Sequence, residues 1–440
     1  MNIKRVLAGV LSATLLLSSF TACAASGSSG GAASTAGSAS APVKLTFSFW
    51  DNPATSTDLM TKLYDQGIKT FNASHKDIQV EMQSTTMAEY YSKLNTQAAA
   101  NTMPDLIMTS GAGKMKTYVD ASKYIDLTSY LDKDANWKNS FTPSSFSLVK
   151  FDSKVYGIPL NQAAGCVFYN TEIFKNNNIA VPTTWTEFLS ACATIKKTGV
   201  YPLAISGKDT WAIAILSAYL SNRLGGNDPL QKISDGAGDW NDPSFVQAGE
   251  KVKELYDKGY VQPSSLGDSE DQATAFMKSG QASMMVMGSW LIGQLNASDS
   301  KVKGKVGVFT FPKVEDGKGD ANMWLSKTDN IAISSSCKNP DAGITFLKYL
   351  TSDEFQKQTA ETAGKIPVTN VKVDLAKAPK EFGFISDSMK TSTGMFTFYD
   401  EALGAKIGDE YNNTMGAIVS GTKSSKDSFA ELQKYTQSNR

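Results

Sequence analysis

Histidine is almost missing from this sequence: His75 is the only one in 440 residues. That weakens the case for a His-based zinc site and for a Ser-His-Asp triad. Cysteine is scarce as well. Beyond Cys23 there are only Cys166, Cys192 and Cys337, an odd and widely scattered set that argues against a disulfide framework. No charge of one sign is in excess, because 43 basic and 43 acidic residues cancel and neither forms a long run. There is thus no electrostatic case for nucleic acid as a partner. Beyond the Ser/Gly-rich stretch near the N-terminus, Gly-x-Ser-x-Gly, His-Glu-x-x-His, P-loop and dinucleotide fingerprints are lacking, and nothing calls for a cofactor or a metal. These absences leave one catalytic option open, a glycosidase-type carboxylate pair, since its two acids are brought together by folding rather than by spacing.

What is present begins with an export signal. Lys4 and Arg5 precede an apolar run from Val6 to Phe20, shorter than the roughly 20 residues of a spanning helix. Residues 1–22 therefore read as a signal peptide. The stretch "SFTAC" resembles the lipobox of bacterial lipoproteins, with Phe20 where Leu is usual, so Cys23 is the expected lipidation site and new N-terminus. Residues 23–42 are almost wholly Ser, Gly, Ala and Thr after the cysteine, a flexible tether with nothing to bury. Folding is expected to begin near Val43. The remaining chain of about 400 residues is too long for one ordinary core and suits two lobes.

Strand and helix signals then alternate. "VKLTFSFW" reads as a strand, Met60, Tyr64, Ile68 and Phe71 follow at helical spacing, "DIQVEMQS" is a strand, "MAEYYSKLNTQAAA" a helix and "PDLIMTS" a short buried strand. This rhythm argues for a parallel sheet with helices on both faces, whose ligands gather beyond the carboxyl ends of the strands. "YGIPLNQAAGCVFYN" reads as two short strands around a turn. A capping box, Thr184 to Glu187, opens a helix closed by Gly199; Asp242 and Pro243 open another that stops at Gly259. Gly280 and Gly364 mark two further helix ends. No internal repeat is visible.

In order, "FSFWDNP", "PDLIM", "YGIPL" running into "VFYN", "PTTWTEF", "AFMKSGQASMMVMGSW", "GVFTFP", "NPDAGITFLKYL" and "GKIPV" form a set that resembles the family 1 extracellular solute-binding proteins of ABC transporters. That group includes maltose-binding and multiple-sugar-binding proteins. The resemblance runs from about Val43 nearly to the C-terminus. It implies an α/β, two-lobed periplasmic-binding-protein-like fold, each lobe a largely parallel sheet flanked by helices, with the ligand cleft between. On that pattern residues 43–157 plus 309–364 form the first lobe and 158–308 plus 365–440 the second. The crossings are expected near Gly157–Pro159, Val308–Pro312 and Gly364–Pro367. The implied function is high-affinity binding of a carbohydrate, an oligosaccharide, by a monomer anchored through lipid on Cys23 at the outer face of a membrane. Lobe closure delivers the ligand to the permease subunits of an ABC transporter. A glycan-hydrolysing surface lipoprotein and a binding protein for a non-sugar solute are the rival readings.

A sugar presents apolar C–H faces and a rim of hydroxyls, which call for aromatic rings together with Asp, Asn or Glu. Trp50, Asp51 and Asn52 supply both types in one loop; the competing reading makes Trp50 a core plug and Asp51-Asn52-Pro53 its turn. Trp290, in the family's Gly-x-Trp position, is the main platform candidate on the second lobe. Asp209 and Trp211 at a helix start, Ser110 and Gly111 at a strand end, and Asn161 with Gln162 at a crossover are further candidates. Trp324, Asp329 and Asn330 lie in the return segment. Phe396, with Phe398, falls where the family brings an aromatic to the cleft, while Tyr399 reads as packing. Asp105 reads as the residue that fixes the turn before its strand.

Overall fold

Leu45, Phe47 and Phe49 alternate with more polar residues, and all three are buried in β1 (Val43–Phe49). The helix Leu59–Ser74 lays Met60, Leu63, Tyr64, Ile68 and Phe71 onto the same core, capped by Asp58, whose carboxylate accepts from the Met60 N–H. The structure, a computed structural model, describes residues 41–142 and 144–439; the signal segment, Cys23 and most of the tether lie outside the described residues. The other strands are β2 (Ile78–Ser84), β3 (Leu106–Ser110), β4 (Lys150–Phe151), β5 (Lys154–Val155), β6 (Ile158–Asn170), β7 (Tyr201–Leu203), β8 (Ala282–Gly288), β9 (Val306–Phe309), β10 (Met323–Ile333), β11 (Ile366–Pro367) and β12 (Gly394–Phe396).

One sheet runs in the order β2-β1-β3-β10-β6-β8-β7, with β9 and β11 on β6 and β12 on β10. Pairing is parallel between β1 and β2, β1 and β3, and β7 and β8. It turns antiparallel where β10 meets β3 and β6. Helices flank the sheet, and among the described residues no helix is long and apolar enough to cross a membrane.

Two hydrophobic cores are strung along the same two long strands. Ile158 and Leu160 of β6 belong to the first core, whereas Ala164 to Phe168 belong to the second. On β10, Trp324 and Leu325 join the second core and Ile331 to Ile333 the first. Each core with its sheet half and helices makes a lobe. "YGIPLNQAAGCVFYN" is therefore not two strands around a turn but mostly the single strand β6. It stays extended because β10 pairs with its first half and β8 and β9 with its second. Val308, Phe309 and Phe311 pack in the second core, held there by β9 on β6, so the return to the first core runs along β10 rather than near Val308–Pro312. β11 pairs with Gln162 and Asn161, at the point where β6 changes core.

Local punctuation follows the sequence closely. The Thr184–Glu187 capping box is formed, and Asp242 caps the helix that has Pro243 in its first turn. Gly199, Gly259, Gly280 and Gly364, each a helix stop in the sequence, all have positive φ.

Candidate functional site

β1 delivers Trp50 to the boundary between the cores. Its ring is 8% exposed, meets Tyr90 edge-on at 5.8 Å and has the Lys327 ammonium over its face at 5.8 Å. The two residues after it turn back into their own loop. Asp51 accepts from the Ser56 and Thr61 hydroxyls, and the exposed Asn52 accepts from the Ala54 N–H. Asp51-Asn52-Pro53 thus builds the turn that leads into the helix Leu59–Ser74.

Trp290 arrives from the opposite lobe, two residues beyond β8. Its ring folds back across Gly288, where a Cβ would lie 1.8 Å from Trp290 Cζ3. This is the physical reason for glycine in "GSW": any side chain at 288 displaces the Trp290 ring. On the reading of Trp290 as a ligand platform, Gly288→Ala is expected to lower ligand affinity nearly as far as loss of the ring itself, measured by calorimetry against the parent protein. Trp211 packs 5.9 Å from Trp290 and Phe398 6.1 Å, extending the aromatic surface.

Between the two tryptophans lies Lys327, on β10. Its ammonium is 5.3 Å from the Trp290 ring centroid, 3.3 Å from Asp329 and 3.7 Å from Glu401. Burial opposes its charge, but Asp329 and Glu401 outweigh that and hold its pKa above the usual lysine value. Asp329 is pushed the other way: burial disfavours the carboxylate, yet Lys327 and Lys365 keep its pKa below the ordinary range. Burial raises Glu401. A buried pair of this kind costs desolvation that its attraction only partly returns, so it is weak evidence for stability and better evidence for a built site.

Antiparallel register gathers the rest. Asp329 stands opposite Ser110 on β3 and Asn161 on β6. Ser110 Oγ donates to Glu401 Oε1 at 3.0 Å, and Asn161 Nδ2 donates to Tyr64 Oη at 3.0 Å. Asn161 Oδ1 and Glu401 Oε2 are buried acceptors without a hydrogen-bond partner among the described residues, a capacity that hydroxyl donors would meet. On the second lobe Asp209 accepts from the Glu270 N–H at 2.7 Å, and Trp290 Nε1 donates to Glu270 Oε1 at 2.7 Å.

Other candidates stand elsewhere. Trp324, 2% exposed, and Phe396, 7%, are packed in the second core, the latter edge-on to Tyr219. Both are held there by the pairing of β10 with β12, which places Trp324 beside Met395 and Leu325 beside Phe396. Gly111 is the N-cap of the helix Ala112–Asp120. Gln162 donates to Ser326 Oγ, and Asn330 donates to the Thr109 and Thr328 carbonyls. Tyr399 is buried packing, and Asp105 fixes its turn by accepting from the Thr46 N–H and hydroxyl.

Sequence reasoning missed Lys327, Glu401, Glu270, Lys365 and Tyr64. Lys327 and Glu401 look like solvent-facing charges in their local patterns. Glu270 follows Ser269, whose capping box with Gln272 already accounts for an acid at a helix start. Glu401 lies close to residues that the sequence singles out, Phe396, Phe398 and Tyr399.

The lobes touch directly. A Cβ on Gly113 would meet the Ala402 carbonyl oxygen at 2.3 Å, Lys114 pairs with Asp400 at 3.3 Å, and Thr57 donates to Asp271 at 2.9 Å. A cavity of about 560 Å³ spans the two lobes, and neither Trp50 nor Trp290 lines it. It is lined by Thr57, Leu59 and Lys62 of one lobe and Lys278, Gln294 and Asp299 of the other.

The family model described as bacterial extracellular solute-binding protein matches residues 54–357. The melibiose/raffinose/stachyose-binding protein MelE of Bacillus subtilis is 26% identical over 334 residues, covering 73% of this chain and 74% of its own. A solved structure described under xylan utilization by the thermophilic bacterium Caldanaerobius polysaccharolyticus is 25% identical with a TM-score of 0.84, covering 89% of this chain and 99% of that one. A chitin oligosaccharide binding protein is likewise 25% identical with a TM-score of 0.83, covering 90% and 98%.

Proposed function

This chain belongs to the bacterial extracellular solute-binding protein family, and from that premise we propose that it binds an oligosaccharide outside the cell and delivers it to the permease of an ABC transporter by lobe closure. The observation that carries the reading is the convergence of Trp50 and Trp290, from opposite lobes, on one buried ammonium flanked by Asp329 and Glu401. Two flat rings suit the C–H faces of sugar units, and the carboxylates and Asn161 suit their hydroxyls. The relatives named for melibiose, raffinose and stachyose and for chitin oligosaccharide support the same substrate class.

Within the proposal, Trp50, Asn161, Trp211, Trp290 and Asp329 are the ligand-facing residues, with Ser110 and Asp209 acting through Glu401 and Glu270. The lobes divide close to residues 43–157 with 309–364 and 158–308 with 365–440, although Ile158 and Leu160 pack in the first core and Phe309, Phe311, Trp324 and Leu325 in the second. The protein acts as a monomer and leaves the sugar uncleaved. The test is a tryptophan-fluorescence titration against raffinose, stachyose, xylotetraose and chitotetraose, followed by product analysis of the tightest binder. Saturable binding with intact sugar is expected. Shorter products would replace the reading with glycan hydrolysis, and no binding to any of the four would remove it.

Cys23 carries the lipid in this reading. Cys23→Ala is expected to release the protein from the membrane without lowering its melting temperature, because the tether isolates the anchor from the folded lobes. Mass spectrometry of the membrane fraction checks it: a variant still lipidated removes the assignment.

A further inference from the structure

Glu270 is the acid that the binding reading leaves unexplained. It begins the helix Glu270–Lys278, its backbone N–H is held by Asp209, and its carboxylate is the acceptor for the indole N–H of Trp290. A tryptophan with its nitrogen tied at 2.7 Å has its ring plane set, so the acid orients the platform without needing to touch the sugar.

The charged groups around it come from several elements. Asp271 is on its own helix, and Asp209 precedes the helix Thr210–Gly225. From the first lobe comes Asp58, the cap of the helix Leu59–Ser74, with Lys365 at 3.9 Å from it. The ammonium of Lys365 lies 5.7 Å from the Trp290 ring centroid and that of Lys327 5.3 Å. Both lysines already have acid partners, Asp58 and Asp329 with Glu401. Glu270, bonded to a neutral indole, has no cationic partner among the described residues. Burial, reinforced by Asp58, Asp271 and Asp209, raises its carboxyl from 4.5 to about 7 in spite of the Trp290 bond.

We propose that Glu270 is the positioning residue of the Trp290 platform and that closing the lobes over a sugar takes up a proton at its carboxyl. The inference rests on the carbohydrate-binding reading. Glu270, Trp290 and Asp209 travel together on the second lobe, whereas Asp58 belongs to the first. Opening withdraws Asp58 and admits water, which returns the carboxyl toward its ordinary value; closing raises it again. Linkage then sets the direction. Below the ordinary value the acid is protonated in both states and closure is unopposed. As pH rises toward about 7, closure must draw a proton from a scarcer supply, and affinity falls. Above that range the penalty is constant.

Two measurements test this separately from the functional reading. In sugar-free protein labelled with 15N-tryptophan, the indole resonance assigned to Trp290 by Trp290→Phe is followed against pH. It is expected to titrate in the parent and to be flat in Glu270→Gln, whose amide oxygen still accepts the bond. A flat parent profile overturns the positioning role, whether or not any sugar binds. Calorimetry with the tightest binder among raffinose, stachyose, xylotetraose and chitotetraose, in buffers of different ionisation heat, reads the linkage. Between about pH 5 and about pH 7.5 the parent is expected to lose roughly tenfold in affinity and to take up protons on binding. Glu270→Gln should bind with no pH slope, and Glu270→Ala should bind weakly at every pH. A pH-independent parent, or a slope surviving in Glu270→Gln, overturns the proton uptake. Absence of binding to all four sugars defeats the carbohydrate reading and the linkage built on it, and leaves the indole titration to decide the positioning role.

Discussion

Trp290→Ala is expected to weaken oligosaccharide binding at least about tenfold while leaving the melting temperature of the sugar-free protein close to that of the parent. The ring is only partly buried, folded over Gly288 and tied through its nitrogen to Glu270. Its loss removes a stacking surface, worth about 0.5–1.5 kcal/mol beyond area burial in aromatic pairs, together with the apolar contact itself. Since 1.4 kcal/mol is a factor of ten in affinity, the sum reaches that threshold. Calorimetric titration with the tightest-binding sugar gives the affinity, and thermal unfolding without sugar gives the stability. Unchanged affinity would sink the platform role. A collapse of the melting temperature with normal binding by the surviving folded protein would make Trp290 a packing residue instead.

Trp50→Ala is expected to do both kinds of damage. At 8% exposure, wedged edge-on against Tyr90 and beside Phe49, Trp50 belongs to the first core as well as facing Lys327. Truncation of a core tryptophan costs about 3–5 kcal/mol, so the unfolding midpoint of the variant should fall by several degrees. Binding by its folded fraction should also weaken, because the ring face toward Lys327 is gone. Ligand should then raise the melting temperature of the parent more than that of either tryptophan variant. If Trp50→Ala loses stability and binds as tightly as the parent, Trp50 is a core plug and nothing more.

The two tryptophans were legible for different reasons. Trp290 carries a local signature, a methionine-rich buried strand ending in Gly-x-Trp, and the clash at Gly288 shows why that spacing is needed. Trp50 carries an ambiguous one: its ring is buried in the first core with the Lys327 ammonium over one face, while Asp51 and Asn52 are spent on the turn. Trp324 and Phe396 looked equivalent to these on residue type alone. The register of β10 against β12 turns them into the second core, and no local pattern shows that.

Helix starts, glycine stops and most strands are determined by the sequence alone, because each depends on residues within a turn or two of one another. Caps, periodicity and positive-φ glycines are short-range energetics, so they are visible in a linear reading. The unbroken course of β6, the handover between cores on β10, and the cluster of Lys327, Asp329, Glu401 and Glu270 were decided only by tertiary structure. Their partners lie tens to hundreds of residues away, as Ser110 does from Glu401. A charged residue in a sequence looks the same whether it meets water or a buried acid. Which of these it meets depends on strand register and lobe packing, and that sets both its ionisation and its use.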